Sequence, residues 1–201
     1  MRSTATQLLL ILAVLIVNPL FGQHFKAGFT LGVAATQVDG DGHSGYNKAG
    51  PILGIWVSRN LGGNLFARFE LRYIQKGSYA KNTDDGAYYR IRLHYIEMPL
   101  LIGYRFVNGF SAKAGLSGGY LAEAKEMNEL GGFPPEDISA FRKYEVAGLA
   151  GIEYNYSERW ALGVLYSYSI LPIRPFEGNI TYRLQRGQYN NVLEFYARLK
   201  L

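Results

Sequence analysis

The 201-residue chain contains no cysteine, which excludes structural disulfides, thiolate metal sites, a cysteine nucleophile and an acylated N-terminal cysteine. Histidine is nearly as scarce. His24, His43 and His94 are the whole supply, and each stands alone in the sequence, whereas an imidazole metal centre needs its ligands gathered. The apolar run at the N-terminus, Leu8 to Val17, has ten residues, against the ~20 that a helix needs to cross a bilayer. Basic residues form neither a run nor a helical stripe. The formal charge of +5 is scattered, so the chain lacks the footprint of a nucleic-acid binder.

What is present is apolar, aromatic and glycine-rich: 48% of residues are hydrophobic and 14% aromatic, with 16 Tyr and 24 Gly. The first segment, MRSTATQLLLILAVLIVNPLFGQ, joins a positive Arg2 to the ten-residue apolar run and a small Gly22. That is the pattern of a secretory signal peptide. The expected division is a signal peptide over 1–22 and one exported domain over 23–201, whose charge is 20 − 16 = +4 once Arg2 is removed.

The exported part alternates with period two in segment after segment, the mark of strands with one oily face. Phe25, Ala27, Phe29, Leu31, Val33 and Ala35 share one face of the first. LFARFELRYI sets Leu65, Ala67, Phe69, Leu71 and Tyr73 against Phe66, Arg68, Glu70 and Arg72. FSAKAGLSGGYLA, YEVAGLAGIEY, WALGVLYSYSI and NNVLEFYARLKL continue the pattern. Tight links NLGGN, VNG and NYSER follow the second, fourth and sixth strands, and long polar links follow the first, third, fifth and seventh. Short turns on one side and long loops on the other are the habit of a barrel that spans the outer membrane.

In lipid every backbone polar group must be paired internally, so a sheet can span only by closing on itself. The fold class expected is therefore all-β: an antiparallel up-and-down transmembrane β-barrel of about eight strands. Alternate residues would meet lipid and lumen, with Tyr73, Tyr154, Trp160 and Tyr168 in interfacial aromatic girdles. A barrel this small has an interior filled by side chains. The candidates are a charge network of Arg68, Glu70, Arg72, Glu97, Lys113, Glu145, Glu153, Glu194 and Arg198, with Lys200 at the chain's end.

HYIEMPLLIGYRFVNGF, His94 to Phe110, concentrates the evidence for this division. With Met98, Leu100 and Ile102 toward lipid, Glu97 and Pro99 point inward, where Arg68, Arg72 or Lys113 can partner the carboxylate. Upstream, Ile91, Leu93 and Tyr95 read as an oily side of opposite phase, so a bulge is expected near Tyr95 or Pro99.

The same stretch resembles the hallmark strand of the PorT-type outer-membrane β-barrel family, matched at Tyr95, Glu97, Pro99, Leu100, Leu101 and Tyr104. Gly103 departs from it, because lysine is frequent at that place. GLSGGYL resembles the family's glycine-rich fifth strand and FRKYEVAGLAGIEY its sixth, with Glu145 where aspartate is common. The resemblance implies an outer-membrane barrel in a family that mixes secretion- and gliding-linked members with barrels of other roles.

Catalytic and metal signals are weak. DGDGH, Asp39 to His43, lacks the terminal glutamate of an EF-hand and reads as a loop tip. His94 with Ser111 or Ser117 is the one Ser/His pairing for a membrane hydrolase, and it requires a shared strand face. No cofactor is called for. The reading is a non-enzymatic barrel whose partners are outer-membrane lipid and an envelope protein met through the loops, with no nucleic acid. The alternative is a periplasmic lipocalin-like binder of a small apolar ligand, its oily faces turned inward.

Because the chain is free of cysteine, single Cys replacements report topology directly. Cys at Thr83 or Gly131 should be labelled by an impermeant thiol reagent on intact cells, and Cys at Gly62 or Asn108 should not; the reverse pattern would invert the orientation.

Overall fold

A computed structural model describes residues 25–81, 88–128, 131–132, 140–175 and 187–201. Residues 1–22, expected to be a signal peptide, and Thr83 lie outside the described residues. The strands are β1 (Phe25–Asp39), β2 (Lys48–Gly62), β3 (Leu65–Lys81), β4 (Tyr88–Arg105), β5 (Phe110–Asn128), a two-residue β6 (Gly131–Gly132), β7 (Tyr144–Asn155), β8 (Trp160–Ser169) and β9 (Tyr189–Lys200). Eight of them close a ring. The antiparallel order runs β4-β3-β2-β1-β9-β8-β7-β5, a β4–β5 ladder closes it, and β6 only extends β5. Each strand of this ring is paired on both sides, with a short gap in the β3–β4 ladder at Pro99, which has no N–H to give, and such closure is what hydrocarbon surroundings demand.

The turns on one side follow from local chemistry. Between β2 and β3 the chain reverses at Gly62 and Gly63, both at positive φ, a conformation with little penalty only for glycine. Between β4 and β5, Asn108 (φ 68°) and Gly109 (φ 82°) do the same, Asn being one of the few other residues that tolerate it. Between β7 and β8 the Ser157 hydroxyl accepts backbone N–H bonds from Arg159 and Trp160. At this end too the Leu201 N–H reaches the Ala27 carbonyl (3.0 Å), so the start of β1 and the end of β9 lie beside the short turns.

Side-chain alternation is kept around the whole wall. Phe29, Leu31, Val33, Ile55, Leu71, Leu100, Ile102, Leu162 and Phe195 are all exposed on the outside. An apolar belt of this extent has no stable place in water. The expected girdle residues Tyr154 and Trp160 are exposed beside the short turns, while Tyr73 and Tyr168 are half-buried toward the other end. The lipocalin-like alternative needed these faces turned inward; they point outward, and that reading is dropped.

The phase assigned to Ile91, Leu93 and Tyr95 is corrected. β4 keeps one phase throughout, with Ile91, Leu93, Tyr95, Glu97, Pro99, Leu101 and Gly103 all buried inside. The first three belong to an apolar cluster with Ile52, Ile74, Leu121 and Val192 at the long-loop end of the lumen. The bulge lies beside Tyr95 but in the neighbouring strand: Tyr95 faces Leu121 and His94 faces Glu123, so Ala122 is the extra residue. One inserted residue exchanges the two faces. It turns Glu123 and Lys125 outward into water and brings Glu126 inward, where Arg174 pairs with it at 2.5 Å.

Two glycines show how closely the wall is packed. A Cβ on Gly115 would lie 2.0 Å from the Leu100 carbonyl oxygen, and one on Gly103 would lie 2.2 Å from the Phe66 ring. The Phe66 ring thus occupies the space that a side chain at position 103 would need. Gly115→Ala should lower the urea unfolding free energy in detergent by about 1–3 kcal/mol, because a backbone oxygen must move. Gly118→Ala, with nothing within 4 Å of the new Cβ, should change it by less than about 0.5 kcal/mol.

Candidate functional site

The lumen is where alternation places the charges, and strand register decides which of them meet. Arg72 on β3 pairs with Glu97 on β4 in the ladder, and its guanidinium donates from Nε (3.0 Å) and Nη2 (2.7 Å) to Glu97 Oε2. The same group reaches Glu194 on β9, with Nη1 2.6 Å from Oε2 and Nη2 2.8 Å from Oε1. One planar fork holding two carboxylates is a geometry that arginine supplies and lysine does not. Lys76, one turn of the pleat beyond Ile74, lies 2.5 Å from Glu97 and 3.0 Å from Glu145. Glu145 also accepts from Ser169 (2.5 Å) and Asn190 (3.2 Å).

A second cluster sits nearer the short turns. Glu153 on β7 takes Arg68 at 3.1 Å, Lys113 at 3.2 Å and the Tyr196 hydroxyl at 3.1 Å, and pairs with Arg198. Glu70 stands 4.0 Å from Arg198. A small apolar group of Leu101, Leu149, Leu165 and Tyr196 is also buried. The two clusters therefore hold five cations and five glutamates, each less than a tenth exposed. Charges so desolvated are tolerable only when paired and hydrogen-bonded.

Of the charges expected inside, all but Lys200 are buried there, and Glu97 meets Arg72 of its three anticipated partners, not Arg68 or Lys113. Its second partner, Lys76, was missed, although it continues the Arg68, Glu70, Arg72 alternation past Ile74. Lys200 is only half-buried at the mouth. The motif residues divide by face: Tyr95, Glu97, Pro99 and Leu101 point inward, Leu100 and Tyr104 outward. Pro99 lies on the inner surface of β4, opposite Ser117 of β5.

The structure does not assemble the weaker sites. The His94 Nδ1 lies 2.7 Å from the Tyr73 hydroxyl on the outer side, whereas Ser111 and Ser117 are buried on the inner one. In DGDGH the Asp41 carboxylate accepts the His43 backbone N–H at 2.9 Å. Burial pushes the Asp41 carboxyl above its ordinary range.

The long-loop end of the lumen is covered by its own chain. Ile173 is buried in the apolar cluster there. Its carbonyl accepts from Arg142 (2.7 Å) and its N–H reaches Gln188 (2.8 Å), and the Arg174 guanidinium lies 3.7 Å over the Phe141 ring.

The family model described as outer membrane protein beta-barrel domain matches residues 21–174. No curated protein matches the chain. Among solved structures, the Neisserial surface protein A is similar at 16% identity and a TM-score of 0.53, covering 88% of this chain and 97% of its own. The attachment invasion locus protein Ail of Yersinia pestis is similar at 13% identity and a TM-score of 0.51, covering 88% and 98%. The same protein in complex with the heparin analogue sucrose octasulfate gives 12%, 0.50, 89% and 99%. At these identities the likeness is one of fold.

Glu97→Leu strands Arg72 and Lys76 with one carboxylate fewer and should lower the unfolding free energy by about 3–5 kcal/mol. Met98→Leu, on the lipid side, should be nearly neutral. Urea unfolding in detergent compares the two; a neutral Glu97 variant beside a collapsed Met98 variant would invert the assigned faces.

Proposed function

The chain belongs to the outer membrane protein beta-barrel domain family, and from that premise we propose that it is a non-enzymatic barrel of the bacterial outer membrane whose lumen is plugged and whose long loops meet a partner. The observation that carries the reading is the paired set of ten buried charges, with the Ile173 segment packed over the apolar end of the lumen. Ion pairs that fill a narrow barrel leave no continuous water path for solute.

Export by removal of residues 1–22 is part of the proposal, as is placement of the long loops outside the cell. β3, β4 and β5 have 17, 18 and 19 residues, against the ~9–11 that a tilted strand needs to cross. Their excess carries polar side chains outward, among them Arg92, His94, Glu123 and Lys125, and offers a rigid ledge for binding. Ail has been solved in complex with a heparin analogue, which supports a ligand-binding role for a barrel of this fold. Within the family we place the chain with the PorT-type members, some of them secretion-linked, on Tyr95, Glu97, Pro99, Leu100, Leu101 and Tyr104, and the proposal extends to a secretion-associated role.

Purified protein reconstituted in planar bilayers should give no large steady conductance. Stable channels of nanosiemens size would contradict the plugged reading.

A further inference from the structure

The mouth beside the short turns holds a cavity of about 100 Å³, room for more than one water-sized group. Among the described residues six cations line it, Lys26, Arg68, Arg105, Arg159, Arg198 and Lys200, against Glu153 and Glu158. Inside, the excess is relieved in part, by Glu70 at 4.0 Å from Arg198 Nη1. Glu153 already serves Arg68, Lys113, Arg198 and the Tyr196 hydroxyl through the single oxygen Oε2. Arg68 Nε and Arg198 Nε and Nη1 are buried and have no hydrogen-bond acceptor among the described residues, their side chains being 7% and 2% exposed. Both guanidiniums lie over the Trp56 ring, at 5.1 and 5.2 Å from its centroid, a cation–π contact shared by the two. Ser58 and Ser111 add hydroxyls to the lining.

Buried donors without acceptors, held rigid in a cavity with net positive charge, form a receptor for an oxyanion. We propose that this vestibule binds a phosphate-type oxyanion, taken up either as free phosphate or as the phosphate of a lipid headgroup. A tetrahedral group suits this lining, in which the buried Arg68 and Arg198 are joined by the half-buried Lys26, Arg105 and Lys200. In the orientation proposed above the cavity opens at the periplasmic face, beside the inner leaflet; the binding itself does not depend on that orientation.

The test is calorimetric titration of inorganic phosphate into the full barrel folded in non-ionic detergent at low ionic strength. Saturable binding of one phosphate per barrel is expected. Arg105→Gln removes a charge-assisted partner from the half-exposed rim without touching the Glu153 cluster, and should weaken binding about tenfold. A Lys26→Gln, Lys200→Gln double variant should weaken it as well, whereas Arg92→Gln at the opposite end should not. Heat-modifiable gel migration verifies that each variant is folded. Repeating the titration in phosphatidylglycerol nanodiscs separates the sources. If phosphate binding is lost there, the lipid headgroup holds the site; if it is retained, free phosphate does, and either result supports the oxyanion site. Absence of saturable binding to the wild type, or equal binding by all rim variants, overturns it.

Discussion

A sheet in hydrocarbon cannot leave a row of backbone N–H and C=O groups unpaired, because each would be buried without water. Here that constraint is met by the β4–β5 ladder, which joins the two ends of an otherwise open eight-strand sheet. Closure at eight strands sets the width of the lumen, and a lumen of that width is filled by side chains. The alternation of each strand then fixes which side chains fill it. Arg68, Glu70 and Arg72 are inside because Leu65, Phe69 and Leu71 are outside. The ion pairs are thus a consequence of closure before they are a source of stability.

Burying ten charges is expensive even when they are paired, and apolar side chains of similar volume could fill the same space. What the charges add in the proposed reading is specificity of register. If β3 slipped by one residue against β4, Arg72 would lose Glu97 and turn toward lipid, together with Lys76. Leu71 and Tyr73 would enter the lumen in their place. The Arg72 fork across β3, β4 and β9 ties three strands that lie far apart in sequence, 25 and 122 residues away.

Much of this was legible in the chain because the period of a strand is two and its consequences are local. The faces of β1, β3, β5, β7, β8 and β9, the tight turns, and the inward Glu97 all follow from counting alternate residues. The partners did not follow, since register between distant strands is a non-local property: nothing near Arg72 points to Glu194. Ile91, Leu93 and Tyr95 misled for a different reason. Their apolarity suggests lipid, yet the long-loop end of the lumen is itself apolar, so hydrophobicity alone could not tell inside from outside. The inserted Ala122 sits on β5 between Leu121 and Glu123, where Ala122 and Ala124 carry too little hydrophobic contrast to mark the change of phase. Lys76 was recoverable, being two alternations beyond Arg72 with only Ile74 between.

The central claim is that charges on distant strands hold one another across the lumen, and a double-mutant cycle on Arg72 and Glu194 measures it most directly. Arg72→Met, Glu194→Leu and the combined variant would be unfolded by urea in the same detergent. The account predicts a coupling energy of about 1–3 kcal/mol, with the double variant more stable than additivity allows. Strictly additive single variants would show that the two side chains do not interact across the barrel, and would contradict the account.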